Sequence, residues 1–418
     1  MKDVLFIAYI FPPHGGGGVQ RTTKFVKYLP RHGWRPTVLA ARHVHHRDPS
    51  LLADVPAGLR VRRTPVLLLP DWLPYRLRRW VARWIFIADM EVGWYPFATR
   101  AGRRLLREES FSALYSTSGP YTGHLVGLHL KRRHQIPWIA DFRDAWIGHF
   151  QYEYPTPIQR AIAERMEKAV VHTADRVVAV NEGLRRHFLQ RYPELPAEHF
   201  VTIPNGFDPD DYHDVTFPKD DERFTIIYTG SLYGNVQTAR PFLQALRQAL
   251  ADGRLSDREI RVRFIGNAGV EAPQLVAEWG LEPVVDFLGY LPHSQVIGHQ
   301  LTADALLLIL GEHPHSEVVL PGKTFEYLYA RRPILAMIPD GVTKDVLSEA
   351  SVGHFAAPDR PDEISVVLVD MVAAWRRGEL AAQPDPEVIA RYDRRRQAQD
   401  LASLFEALHT QMERNGTT

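Results

Sequence analysis

The chain has 418 residues, 45% of them hydrophobic and 24% charged, with a formal net charge of +1 and no cysteine. That is the balance of a folded protein long enough for two domains of roughly 200 residues each. It excludes disulfides, cysteine-ligated metal and thiol nucleophiles, and the near-neutral charge gives no reason to expect nucleic acid as a partner.

The first apolar run, residues 4–9, follows a single Lys2, lacks a small-residue cleavage site and enters Pro12-Pro13-His14-Gly15-Gly16-Gly17-Gly18. It reads as a strand, not a signal peptide. No apolar stretch approaches the roughly 18 residues that span a bilayer. A cytoplasmic protein is expected, with any membrane contact peripheral and at the inner face.

Four glycines remove every Cβ from the turn, so the amides around Gly17 and Gly18 can approach a phosphate or sugar at the start of a helix. A dinucleotide fingerprint needs a further glycine where Gln20 and Arg21 stand, which weighs against NAD(P). The plain alternative is a βα turn without a ligand.

Further strands are predicted at 36–40, 113–116, 138–142, 176–180 and 200–203, then at 225–228, 262–265, 285–288, 305–310 and 334–337. Segments of helical period alternate with them, as in residues 19–29, where Val19, Thr22, Val26 and Leu29 share a face. The pattern is α/β: two Rossmann-like units with parallel sheets. Residues 205–222, rich in Pro and Asp, read as a linker between a domain at 1–204 and one at 223–418.

Between Arg60 and Arg107 stand eleven arginines and three acids, Asp71, Asp89 and Glu91, with Trp72, Trp80, Trp84 and Trp94 interleaved. Arg76, Arg79 and Arg83 share a helical face. The stretch suits an anionic lipid surface or acceptor phosphates, with Arg76, Arg79 and Trp94 as contacts, or it is a solvated arginine face over a tryptophan core.

Residues 116–124 form a strand end, a hydroxyl-rich turn and a helix start, and His124 is a candidate there, catalytic or merely packed. Asp141-Phe142-Arg143-Asp144 closes the next strand, where open α/β sheets bind ligands. Asp144 can serve as acid/base or steady a positive charge, with Arg143 holding a phosphate or orienting Asp141 and Asp144. A structural Arg–Asp pair is the alternative.

In the second half, Thr229-Gly230-Ser231 follows a strand, and its amides and the Ser231 hydroxyl can take phosphate oxygens. Pro321-Gly322-Lys323-Thr324-Phe325-Glu326 opens a helix that sets a cation and a carboxylate three residues apart. These fit diphosphate and ribose; Glu326 as a first-turn capping acid is the other reading.

Taken together, these segments resemble the family 4 glycosyltransferases of the GT-B fold, especially bacterial members that build polysaccharide or glycoconjugate chains. The resemblance rests on Phe11-Pro12-Pro13, Gly17-Gly18-Val19-Gln20-Arg21, residues 136–146, Ile203-Pro204-Asn205-Gly206-Phe207-Asp208 and the Lys323 to Glu326 helix start. It implies a retaining, metal-independent transferase with no cofactor beyond its nucleotide-sugar co-substrate. The donor belongs on the C-terminal domain, and a glycan, lipid-linked or small-molecule acceptor on the N-terminal one.

The family's usual carboxylate pair lies seven residues apart, which puts Val318 where the first is expected and Glu317 one place off. Where the family commonly carries Arg and Lys, this chain has Ser231 and Asn235, so Lys323 becomes the main phosphate cation. A nucleotide-sugar epimerase on the same fold and a non-catalytic nucleotide-sugar binding protein are the competing functions.

Overall fold

The computed structural model describes the chain except for residues 16, 43–47, 71, 75, 78–79, 82–83, 85, 149–153, 214, 216, 220–221, 233–236, 314–315 and 417–418. Seven short runs of β-forming sequence pair in the first half: β1 (Lys2–Ile7), β2 (Trp34–Ala41), β3 (Arg60–Thr64), β4 (Ala113–Thr117), β5 (Trp138–Phe142), β6 (Arg176–Ala179) and β7 (Phe200–Thr202). Every pairing is parallel, in the order β3-β2-β1-β4-β5-β6-β7, with Val4 opposite both Pro36 and Ala113. All residues of β4 and β5 are buried, because helices cover both faces and the strands can be apolar throughout.

The second half repeats the design with β8 (Phe224–Thr229), β9 (Ile260–Ile265), β10 (Val285–Gly289), β11 (Ala305–Ile309), β12 (Ile334–Met337) and β13 (Gly353–Ala356), parallel in the order β10-β9-β8-β11-β12-β13. The protein is thus α/β, with two Rossmann-like halves. Periodicity overlooked β3 and β13. Both are sheet edges, Arg-Val-Arg-Arg-Thr and Gly-His-Phe-Ala, each with a single large apolar residue and no apolar run.

The division of the chain differs from the expected one. One unit comprises Met1–Asn205 with Arg394–Thr418, the other Gly206–Asp393. The final helix, Arg394–Gly416, buries Ala398, Leu401, Phe405 and Leu408 at helical spacing in the first unit's core, where Phe405 packs on Trp34 with ring centroids 5.0 Å apart. Leu401, Phe405 and Leu408 each contribute about 1.5–3 kcal/mol by this burial.

Residues 206–212 are likewise no free linker. Phe207 and Tyr212 both pack on Tyr329 at 4.3 Å, within the second unit. Among the described residues no helix is long and apolar enough to cross a membrane.

Candidate active site

In an open parallel sheet the crevice for a ligand opens where the strand order reverses, outside the carboxyl ends of the strands. In the second unit that point lies between β8 and β11. β8 runs into Gly230, whose φ of +114° suits only glycine, and the turn is pinned by Gly230 N–H donating to Ile265 O at 2.8 Å and Tyr228 Oη donating to Ser231 O at 2.9 Å. Gly266 is required too: a Cβ there would stand 2.4 Å from Gly230 O. Ser231 is half-buried beside this turn, and Asn235 lies outside the described residues.

Beyond β11, helix Lys323–Ala330 starts at the same crevice. Lys323 Nζ sits 3.9 Å above the Tyr228 ring and would be 2.9 Å from any Cβ at Gly230. Its nitrogen is sealed from solvent and has no hydrogen-bond partner among the described residues. Burial pushes its pKa down to about 7, against the pull of Glu326. A buried ammonium without an acceptor is costly, and an anion entering the crevice would supply one.

Glu326 accepts from Gln300 Nε2 at 3.1 Å and lies 3.3 Å from His293 Nε2. Both partners come from helix His293–Thr302, outside any motif, which is why the linear chain gave no sign of them. Thr324 is fully buried with its Oγ1 unpartnered among the described residues, so it lines the helix root and not a surface. Glu317 is exposed on the single turn Ser316–Val318, its backbone against Gly341, where a Cβ would come within 2.5 Å of Glu317 O.

In the first unit the order reverses between β1 and β4. Gly17 and Gly18 form the first turn of helix Gly17–Tyr28. Arg143, from the end of β5, fastens this turn to the loop after β4: Nε donates to Ser118 O at 2.6 Å, Nη2 to Gly119 O at 3.0 Å and Nη1 to Gly18 O. Three of its five N–H donors go to main-chain carbonyls, so it shapes the crevice. Asp144, next in sequence, is exposed, and its charge supports the Arg143 guanidinium.

Asp141 and His124 do not line the crevice. Asp141 is fully buried and accepts from Arg21 Nε at 2.8 Å, Arg21 Nη2 at 2.7 Å, Tyr115 Oη at 2.6 Å and Thr117 Oγ1 at 3.0 Å. Burial would raise its pKa, but Arg21 outweighs that and holds it below the ordinary value. Arg21 also donates to Ile203 O and Pro204 O, so the pair ties helix Gly17–Tyr28 to the ends of β5 and β7. This is a structural ion pair. Sequence spacing cannot show it, since its partners are 120 residues apart.

His124 is fully buried against Phe142, with Nδ1 2.8 Å from Ser116 Oγ, and burial pushes its pKa down to about 3. It is a neutral, fully buried histidine. Trp94 is also core: fully buried, its Nε1 donating to Thr64 Oγ1 at 2.7 Å and its ring edge-on to Tyr9. Arg76 is exposed; Arg79 and Arg83 lie outside the described residues. Asp208, first of the Asp-Pro-Asp triplet, is buried, and its Oδ1 accepts from Asp210 N–H at 3.0 Å.

The family model described as glycosyl transferase 4-like domain matches residues 16–206, and that described as glycosyl transferases group 1 matches residues 223–373. No curated protein matches the chain. Among solved structures it is similar to sucrose-phosphate synthase from Thermosynechococcus elongatus, 14% identical over 100% of this chain and 98% of that one, with a TM-score of 0.62. The Anabaena protein HepE, in complex with UDP and glucose, is 14% identical over 100% of both chains, with a TM-score of 0.59. WaaG, a glycosyltransferase involved in lipopolysaccharide biosynthesis, is 14% identical over 98% of both, at 0.60. At such identities the likeness is one of fold.

Proposed function

The chain belongs to the family 4-like glycosyltransferases and has their GT-B fold, and from that premise we propose that it moves a sugar from a nucleotide-diphosphate donor to the hydroxyl of a glycan or lipid-linked acceptor, with retention. The observation that carries the donor side is the sealed Lys323 ammonium, without a hydrogen-bond partner among the described residues, against Gly230 at the strand switch point. An incoming diphosphate supplies the acceptor this nitrogen lacks, together with the charge that the first-turn amides of helix Lys323–Ala330 favour.

As the bond to the sugar breaks, negative charge grows on the diphosphate, and groups already aimed at it stabilise the transition state more than the ground state. Lys323, the N–H and hydroxyl of Ser231 and the helix start take this role in place of a metal. Glu326, held by Gln300 and His293, is oriented for ribose hydroxyls. In the first unit, the turn at Gly17 and Gly18 and the exposed Asp144 carboxylate serve the reacting sugar and its acceptor, with Arg143 as the positioning clamp. Retention rests on the resemblance to the family; the UDP complexes among the fold neighbours support a nucleotide-sugar donor.

A thermal-shift panel of UDP, GDP, ADP, dTDP and their sugars tests the reading. A ligand at one hundred times its Kd adds about 2.7 kcal/mol to the native state, a shift of several degrees for a unit of this size. One nucleotide class should stabilise the wild type and not Lys323→Ala; a panel with no stabilising member overturns the proposal.

A further inference from the structure

Half of the large hydrophobic side chains left exposed among the described residues fall between residues 67 and 97 of the first unit. Trp72 is 80% exposed and Trp80 55%, with Trp84 beside Trp80 at a centroid distance of 6.5 Å. Leu67, Leu77 and Met90 are exposed with them. Leaving such surface wet is unfavourable unless something covers it.

The stretch is joined to a groove. Leu67 N–H donates to Gly93 O, and Gln159 Nε2 donates to Trp84 O, which brings residue 84 to the start of helix Pro157–Thr173, where Ile158 is also exposed. Between that helix and helices Tyr95–Glu108 and Thr122–His134 lies a groove of about 490 Å³, apolar at Val92, Tyr95, Leu125 and Met166 and flanked by Arg132 and Arg133.

The charge at the groove has one sign. Arg103, Arg107, Arg132 and Arg133 have no acidic partner among the described residues. Burial and then Arg103 and Arg133 lower the pKa of His129, and burial and then Arg107, Arg133 and Arg103 lower that of His134. Two of the stretch's three acids are turned inward: Asp89 accepts from Thr122 N–H at 2.7 Å and Thr122 Oγ1 at 2.6 Å, and burial raises the pKa of Asp89 to about 6 and that of Glu91 to about 7.

We propose that this face seats the first unit on an anionic bilayer surface, with the tryptophans at headgroup depth, the arginines on lipid phosphates, and the groove holding one lipid's phosphate and upper methylenes. Interfacial tryptophan beside unpaired arginine is the chemistry of that boundary. A nucleic acid would take the arginines and leave Leu67, Leu77, Met90 and Ile158 wet. A second copy would set arginines against arginines. The inference goes beyond the donor reading and does not depend on it.

The test is sedimentation of the full chain with vesicles of phosphatidylcholine alone or mixed with phosphatidylglycerol. Each arginine near a charged leaflet is worth about fivefold in partition, so Arg132→Gln with Arg133→Gln should weaken binding to the anionic vesicles about 25-fold. Raising ionic strength should weaken wild-type binding, and its tryptophan emission should shift to the blue on binding, less so in Trp80→Ala with Trp84→Ala. All four side chains are exposed or half-exposed, and melting followed by circular dichroism checks that the variants remain folded. Equal partition into neutral and anionic vesicles overturns the proposal, as does unchanged partition of the arginine variant. Displacement from vesicles by inorganic phosphate or a short RNA, beyond that caused by sodium chloride at the same ionic strength, overturns it in favour of a soluble anion.

Discussion

Lys323 makes nucleotide binding sensitive to pH in a definite direction. In the ligand-free protein burial holds its amine at about 7, because its nitrogen has the Tyr228 ring and Gly230 around it and no acceptor among the described residues. Beside a diphosphate the charged form gains a counter-ion and hydrogen bonds, which returns the pKa to about 10 or higher. Above pH 7 the complex therefore takes up a proton, and affinity falls about tenfold per pH unit up to about pH 10. Between pH 6 and pH 9 the loss is about 100-fold, roughly 2.7 kcal/mol.

Calorimetry with a sugar nucleotide, whose diphosphate does not titrate in this window, measures the affinity. Repeating it at pH 8.5 in two buffers of different ionisation enthalpy counts the protons. Close to one should be taken up by the wild type and none by Lys323→Met. The linkage runs the other way for the free protein: a depressed amine costs stability below pH 7, and the cost fades as pH rises towards the unfolded value. Lys323→Met should accordingly raise the melting temperature of the ligand-free protein at pH 6.5 by a few degrees. Affinity that stays level from pH 6 to 9 with no proton uptake would refute the reasoning, since Lys323 would then be charged before the ligand arrives.

Asp141→Asn leaves Arg21 buried without its counter-charge and should cost about 3–5 kcal/mol in urea unfolding, whereas replacing both by apolar residues should cost less than the single change. Phe405→Ala opens a cavity against Trp34 and should destabilise the first unit by about 3–5 kcal/mol; a cost below about 1 kcal/mol would show that the final helix is not core. Asp144→Asn, at an exposed position, should keep the melting temperature and the nucleotide shift while turnover falls at least about 100-fold. Turnover at the wild-type level would remove Asp144 from the mechanism.

The parts of the site legible in sequence were those made by backbone. Glycines after a strand or at a helix start announce an anion cradle, and Gly230-Ser231 directly follows a strand while Gly17-Gly18 and Gly322-Lys323 stand at helix starts. Side-chain roles were less legible. Asp141, Arg143 and Asp144 look alike in sequence, yet one is sealed in an ion pair, one is spent on three carbonyls and one is exposed. The partners that decide this, Arg21, Ser118 and Gly119, come from elements that meet only in the folded sheet.

Sequence by itself determined the paired α/β architecture, because apolar periodicity and turn chemistry are local and each strand and helix carries its own. It also determined where anions can approach, for the same reason. Only the tertiary structure decided which charges are buried and paired, that Trp94 and His124 are core, and that the last helix belongs to the first unit. Burial and partnership depend on contacts between different elements, from Ser116 with His124, 8 residues apart, to Gly18 with Arg143, 125 apart. They set both the cost of a charge and its freedom to act.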